Sequence, residues 1–84
     1  MTAPPPNDEY IYAKVAIDYA KSVQAVKYSA GYWHQAEDFY RKAKIYYADR
    51  EYELAKAFFI KAKISAERAE NSARLLRMKN GDIL

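Results

Sequence analysis

His34 is the only histidine among the 84 residues of the chain, and there is no cysteine. Those two facts bound the chemistry available. A structural or catalytic zinc site draws on several His, Cys or carboxylate ligands at matched spacing, and the metalloprotease pattern needs two histidines four apart. One histidine beside Trp33 supplies neither, and without a thiol no cysteine nucleophile exists. No metal and no cofactor is expected. Carboxylates occur as Glu37–Asp38, Asp49–Glu51–Glu53 and Glu67–Glu70. General acid–base work would require burial or a charged neighbour to shift their pKa values. All of them fall on the polar faces of the helices derived below, where they serve as solvated surface. The two glycines, Gly31 and Gly81, form no phosphate-binding loop. The chain reads as a binding or structural module with no catalytic residue, and not as an enzyme.

Tyrosine alternating with basic residues, as in Tyr40-Arg41-Lys42-Ala43-Lys44, is the one pattern that suggests nucleic acid. On a helix these neighbours diverge: Tyr40 and Ala43 point inward, the cations outward. Lys56, Lys63 and Arg74 could extend a basic surface, but acids intervene, and the net charge is only +3. Nucleic acid is therefore the weakest of the partner classes. A steep loss of binding with salt would be its signature.

The elements that position these residues follow from composition and spacing. The chain is 51% apolar, 15% aromatic and poor in breakers, with its three prolines together at Pro4, Pro5 and Pro6. Such a sequence favours long helices, and its length allows one domain near the lower limit for an unaided core. No run approaches ~20 consecutive apolar residues, so no membrane span is expected. Residues 1–7 read as a flexible proline-rich tether, 8–79 as the helical domain and 80–84 as a C-terminal tail. Consecutive prolines cannot propagate a helix ladder, and Asn7 and Asp8 offer an N-cap.

The fold expected is all-α: an antiparallel three-helix bundle with a long third helix. The first helix runs from about Asp8 to Val26 or Lys27, with a stripe of Tyr12, Val15, Ala16, Tyr19, Ala20, Val23 and Val26 at alternating three and four. Ile11 and Ile17 lie off that stripe and give the helix apolar residues on more than one side. A loop is placed at about 27–30, where Ser29 can cap and Gly31 weakens the helix; a continuous helix through Gly31 is the alternative. The second helix spans about 30–48, with Trp33, Ala36, Phe39, Tyr40, Ala43, Tyr46 and Tyr47 inward. After a tight turn at Asp49-Arg50-Glu51, the third runs from about 51 to 79, stopped by Asn80-Gly81. Its stripe is Tyr52, Ala55, Phe59, Ala62, Ala66, Ala69, Ala73 and Leu76. At roughly 43 Å against roughly 28 Å for the other two, the third helix overhangs the bundle with Leu75, Leu76 and Met78.

Facing stripes pair small with large residues, which brings helix backbones together at ~8–10 Å. From Ala36 to Ala69 the order resembles a tetratricopeptide-like hairpin: Ala36, Phe39, Ala43 and Tyr46 in its first helix, Tyr52, Ala55, Phe59 and Ala62 in its second. Arg50 replaces the turn glycine such a hairpin carries, and no copy recurs at ~34 residues. The span from Ala13 to about Ala73 has a nearer likeness. Tyr28-Ser29-Ala30, Trp33, Ala36, Ala43, Tyr52, Ala55, Ala62, Ala66 and Ala69 resemble an uncharacterised family of small alanine-rich helical domains in bacterial envelope lipoproteins, sometimes found before an OmpA-like domain. Gly31 and Arg50 depart from its pattern.

That resemblance implies a periplasmic domain, lipid-anchored to the outer membrane, with Thr2-Ala3-Pro4-Pro5-Pro6 as the tether and Met1 standing where an acylated cysteine would begin the mature chain. It implies a structural or protein–protein interaction role, with a protein partner or self-association through the third helix. The alternative is a cytoplasmic tetratricopeptide-like adaptor that holds a peptide or partner helix. The surplus aromatic residues at the first turn, Tyr28, Tyr32 and Trp33, and the overhanging Leu75, Leu76 and Met78 are the candidate protein-contact residues, because exposed Tyr and Trp bring contact area with few rotatable bonds.

Overall fold

A computed structural model describes residues 3–81. Met1 and Thr2 of the expected tether, and residues 82–84 of the expected tail, lie outside the described residues. The chain is all-helical, with four helices: α1 (Asn7–Ser22), α2 (Ala25–Tyr28), α3 (Ala30–Ala48) and α4 (Tyr52–Lys79). Three were expected. The difference arises at Gln24, which adopts a left-handed backbone (φ 60°) and ends α1 early, leaving α2 as a single turn. Ser29 then separates α2 from α3, and Gly31 lies inside α3, exposed, with open space where a Cβ would sit.

Helix ends follow local chemistry. Pro6, not Asn7, precedes α1; it is buried, and its carbonyl accepts from the Tyr10 amide at 3.0 Å. Asn7 is instead the first helical residue, and its Oδ1 accepts a 2.7 Å hydrogen bond from the Tyr47 hydroxyl, pinning the start of α1 to the end of α3. At the end of α3 the Glu51 amide donates to the Tyr46 carbonyl (2.9 Å) and the Arg50 amide to that of Tyr47 (3.1 Å). This is a Schellman closure, with Arg50 at φ 61° in the left-handed position that normally takes glycine. Gly81, at φ 83°, fills the corresponding position after α4.

Buried residues are mostly alanine. Ala16, Ile17, Ala20 and Val23 cluster with Trp33, Ala36, Ala66, Ala69 and Ala73 at one end. At the other, Ala13, Ala43, Ala55, Phe59 and Ala62 are ringed by aromatic side chains. There Tyr10 stacks on Phe59 at 4.5 Å and meets Tyr47 edge-on at 5.3 Å. The start of α1 thus adjoins the end of α3 and the early part of α4, so successive long helices reverse direction and α1 runs parallel to α4. Small side chains let α4 pack closely against both others, while α1 and α3 touch each other little. The result is a thin bundle, 53 × 18 × 13 Å, with α4 in the middle.

The inward stripes expected for the second and third long helices hold, except that Leu76 is 38% exposed. The stripe expected for the first helix divides. Its Ala16, Ala20 and Val23 face the core, joined by Ala13 and Ile17, whereas its Tyr12, Val15, Tyr19 and Val26 are exposed. The reason is steric: α4 offers alanines at 62, 66 and 69, and close backbone approach selects the small-residue side of α1 over its bulky side.

Candidate functional site

Because α4 lies between them, α1 and α3 leave an open cleft of about 620 Å³. Its walls carry Lys14, Asp18 and Lys21 from α1 and His34, Glu37, Asp38, Arg41 and Lys44 from α3, with Ile17 and Tyr40 between. The charges largely answer one another. Lys14 Nζ lies 3.2 Å from Asp18, and Asp38 receives Arg41 at 2.6 Å and Lys42 at 3.0 Å. Hydrogen bonds from Lys42 and then Arg41 hold the Asp38 carboxyl below its ordinary pKa. His34 lies 3.8 Å from Glu37 on an exposed stretch of α3. Tyr40, half-buried beneath the Lys44 ammonium at 4.8 Å, has its phenol pushed up to about 12, chiefly by burial and then by Tyr10. A protonated phenol flanked by satisfied ion pairs offers neither a base nor an activated nucleophile. Among the described residues no group of three or more His, Asp or Glu side chains is arranged to hold a metal ion.

The candidate contact residues fare differently from one another. Trp33 is 3% exposed and belongs to the core. Tyr28 is half-buried against the same cluster, with Lys27 Nζ 4.9 Å and the Arg77 guanidinium 6.0 Å from its ring centre. Tyr32 points outward. Since the start of α3 adjoins the end of α4, Tyr32 joins Leu75 and Leu76 in one open groove of about 540 Å³, edged by Arg68 and Lys79. Two sets of residues that sequence places some forty positions apart therefore form a single apolar surface with a basic rim. Met78 is exposed beyond it.

A second outward surface was missed by sequence reasoning. Ile11, Tyr12, Val15 and Tyr19 lie along the solvent side of α1 and, with Lys63, Glu67 and Glu70 of α4, line a shallow groove of about 420 Å³. The available signal was the presence of two apolar stripes on one helix, of which only one can face a single neighbour.

The fold is an all-helical, alanine-rich bundle with exposed apolar grooves. Residues 8–81 match the family described as Domain of unknown function (DUF4398), and the chain belongs to that family. No curated protein and no solved structure matches the chain. Among the described residues no helix is long and apolar enough to cross a membrane.

Proposed function

We propose that the chain is a non-enzymatic structural or protein–protein interaction module of the bacterial cell envelope, the soluble part of a lipoprotein held at the outer membrane by a lipid anchor on its N-terminal side. The observation that carries the interaction role is the convergence of Tyr32, Leu75 and Leu76 on one groove at the overhanging end of α4. An aromatic anchor beside two leucines, rimmed by Arg68 and Lys79, has the make-up of a protein-contact surface. The envelope location rests on the sequence resemblance and on the proline-rich segment ahead of α1. With α1 beginning directly after Pro6, that segment would lead from the Tyr10–Tyr47 end of the bundle, and α4 would carry its groove to the far end.

The test is metabolic labelling of the full-length gene product with a clickable fatty acid, followed by membrane fractionation and photo-crosslinking from position 75. Label in the membrane fraction, lost when the residue preceding Thr2 is changed, together with a protein adduct at position 75, is the expected result. An unlabelled cytosolic protein would overturn the envelope reading. One observation favours a cytoplasmic adaptor in that event: α3 and α4 pair intimately through Ala43, Ala55, Phe59 and Ala62, the small-and-aromatic interdigitation of a tetratricopeptide-like hairpin.

A further inference from the structure

The outward face of α1 is self-complementary. Tyr12, Val15 and Tyr19 follow a three-and-four spacing, with Asp8 and Ser22 continuing it at either end, which is the seam of a helix that packs against another helix. Ile11 adds to the same side. Tyr12, Val15, Tyr19 and Ile11 are 55%, 46%, 57% and 57% exposed, although each is a residue that gains from burial. From this arrangement we infer that the α1 face is a docking surface for a second copy of this chain, paired antiparallel about a two-fold axis at Val15.

Three features select that occupant and that direction. Tyr12 and Tyr19 stand three residues before and four after Val15, so in an antiparallel pair each lies within one residue's rise, ~1.5 Å, of the other's counterpart. The two tyrosine pairs then flank a central Val15–Val15 contact. Lys14 and Asp18, already 3.2 Å apart within one chain, both lie on one flank of the seam, the flank that also carries Ile11. Antiparallel pairing brings Lys14 of each copy close to Asp18 of the other, so both ion pairs can exchange across the axis. Finally, α1 begins with Asp8, which lies on the seam. A parallel pair would set Asp8 beside Asp8, whereas the antiparallel pair separates the two acidic starts and opposes the two helix dipoles. A closed two-fold of this kind uses the same patch on both copies and leaves no open edge.

The contact is small, because α1 has 16 residues and a length of ~24 Å. It belongs with weak, transient interfaces, and half-association is expected at roughly 10–100 μM. The inference does not depend on the envelope reading and uses a different surface from the α4 groove.

The chain has no cysteine, which makes the test direct. Val15→Cys in the otherwise native full chain should form a disulfide-linked dimer rapidly under mild oxidation, while Ala57→Cys, exposed on α4 and turned from the face that carries Lys63 and Glu70, should stay monomeric. Sedimentation equilibrium of the native chain should show a monomer–dimer equilibrium that Val15→Glu weakens by more than about tenfold, since it places two like charges on the axis. Circular dichroism of Val15→Glu should match the native chain, because Val15 is exposed. Monomer at every accessible concentration would overturn the inference, as would association that survives Val15→Glu and is lost with Leu75→Glu. So would binding to anionic phospholipid vesicles that requires Val15 in a chain that does not dimerise, for the face would then meet a membrane and not a second copy.

Discussion

Replacing Arg50 by glycine should stabilise the protein. Arg50 closes the α3 Schellman turn at φ 61°, where an L-residue sets its Cβ against the neighbouring backbone at a cost of about 1–2 kcal/mol. Glycine removes that cost but brings about 0.5–1 kcal/mol of additional chain entropy to the unfolded state. The side chain is exposed, so its deletion forfeits little. The net gain is about 0.5–1 kcal/mol, which for a domain of this size raises Tm by about 2–8 °C. Thermal unfolding followed by far-UV circular dichroism measures this directly, with urea unfolding as a second readout at unchanged m-value. Arg50→Ala is the control: it removes the same charge and side chain but keeps the Cβ, and should gain nothing. Gln24, at φ 60° at the end of α1, provides a replicate. Gln24→Gly should give a similar increment, additive with the first because the two sites lie at opposite ends of α3, roughly 28 Å apart. If Arg50→Gly were no more stable than Arg50→Ala, the backbone argument would be refuted and the Arg50 side chain would have to hold the turn by other means.

Other outcomes follow from the core. Phe59, fully buried amid the aromatic ring, should cost about 3–5 kcal/mol when cut to alanine; against a total of about 4–12 kcal/mol at this length, urea titration should find the domain partly or wholly unfolded. Ala20→Leu should overpack the α1–α4 contact and cost about 1–3 kcal/mol or more, whereas Val15→Ala on the same helix should stay within about 0.5 kcal/mol when measured at high dilution; equal costs would mean that α1 is not oriented as described. Burial favours the neutral phenol of Tyr40, so its folded pKa of about 12 lies above the ordinary 10.0. The stability it contributes is whole below pH 10 and is lost as pH rises through 12. Denaturant midpoints on either side of that window should fall for the native chain and fall less for Tyr40→Phe.

Sequence by itself determined the class of fold and the bounds of its two longest elements. From Trp33 to Tyr47 and from Tyr52 to Ala73 the alanines alternate with aromatics on one stripe each, and Ile45, Leu54, Ile60 and Ile64 fall outside it and are exposed, so helix and orientation were legible together, and Asn80-Gly81 marked the stop of α4. The absence of cysteine and of a second histidine likewise bounded the available chemistry at the level of sequence. Three matters were decided only by tertiary structure. The first is the orientation of α1. Its expected stripe joined bulky residues to small ones, and the alanines of α4 split it, because close backbone approach buries Ala16 and Ala20 beside Ala13 and leaves Tyr12, Val15 and Tyr19 outside. The second is the break at Gln24, a residue with no left-handed preference, held there between Val23 and Ala25, both of which are buried in the core. The third is the composition of the candidate contact surface. Local pattern linked Tyr32 to Trp33, yet a helix turns neighbours by about 100°, so one went to the core and the other to solvent. Tyr32 found its partners in Leu75 and Leu76 through the antiparallel return of the chain, a relation between residues distant in sequence that no local spacing encodes.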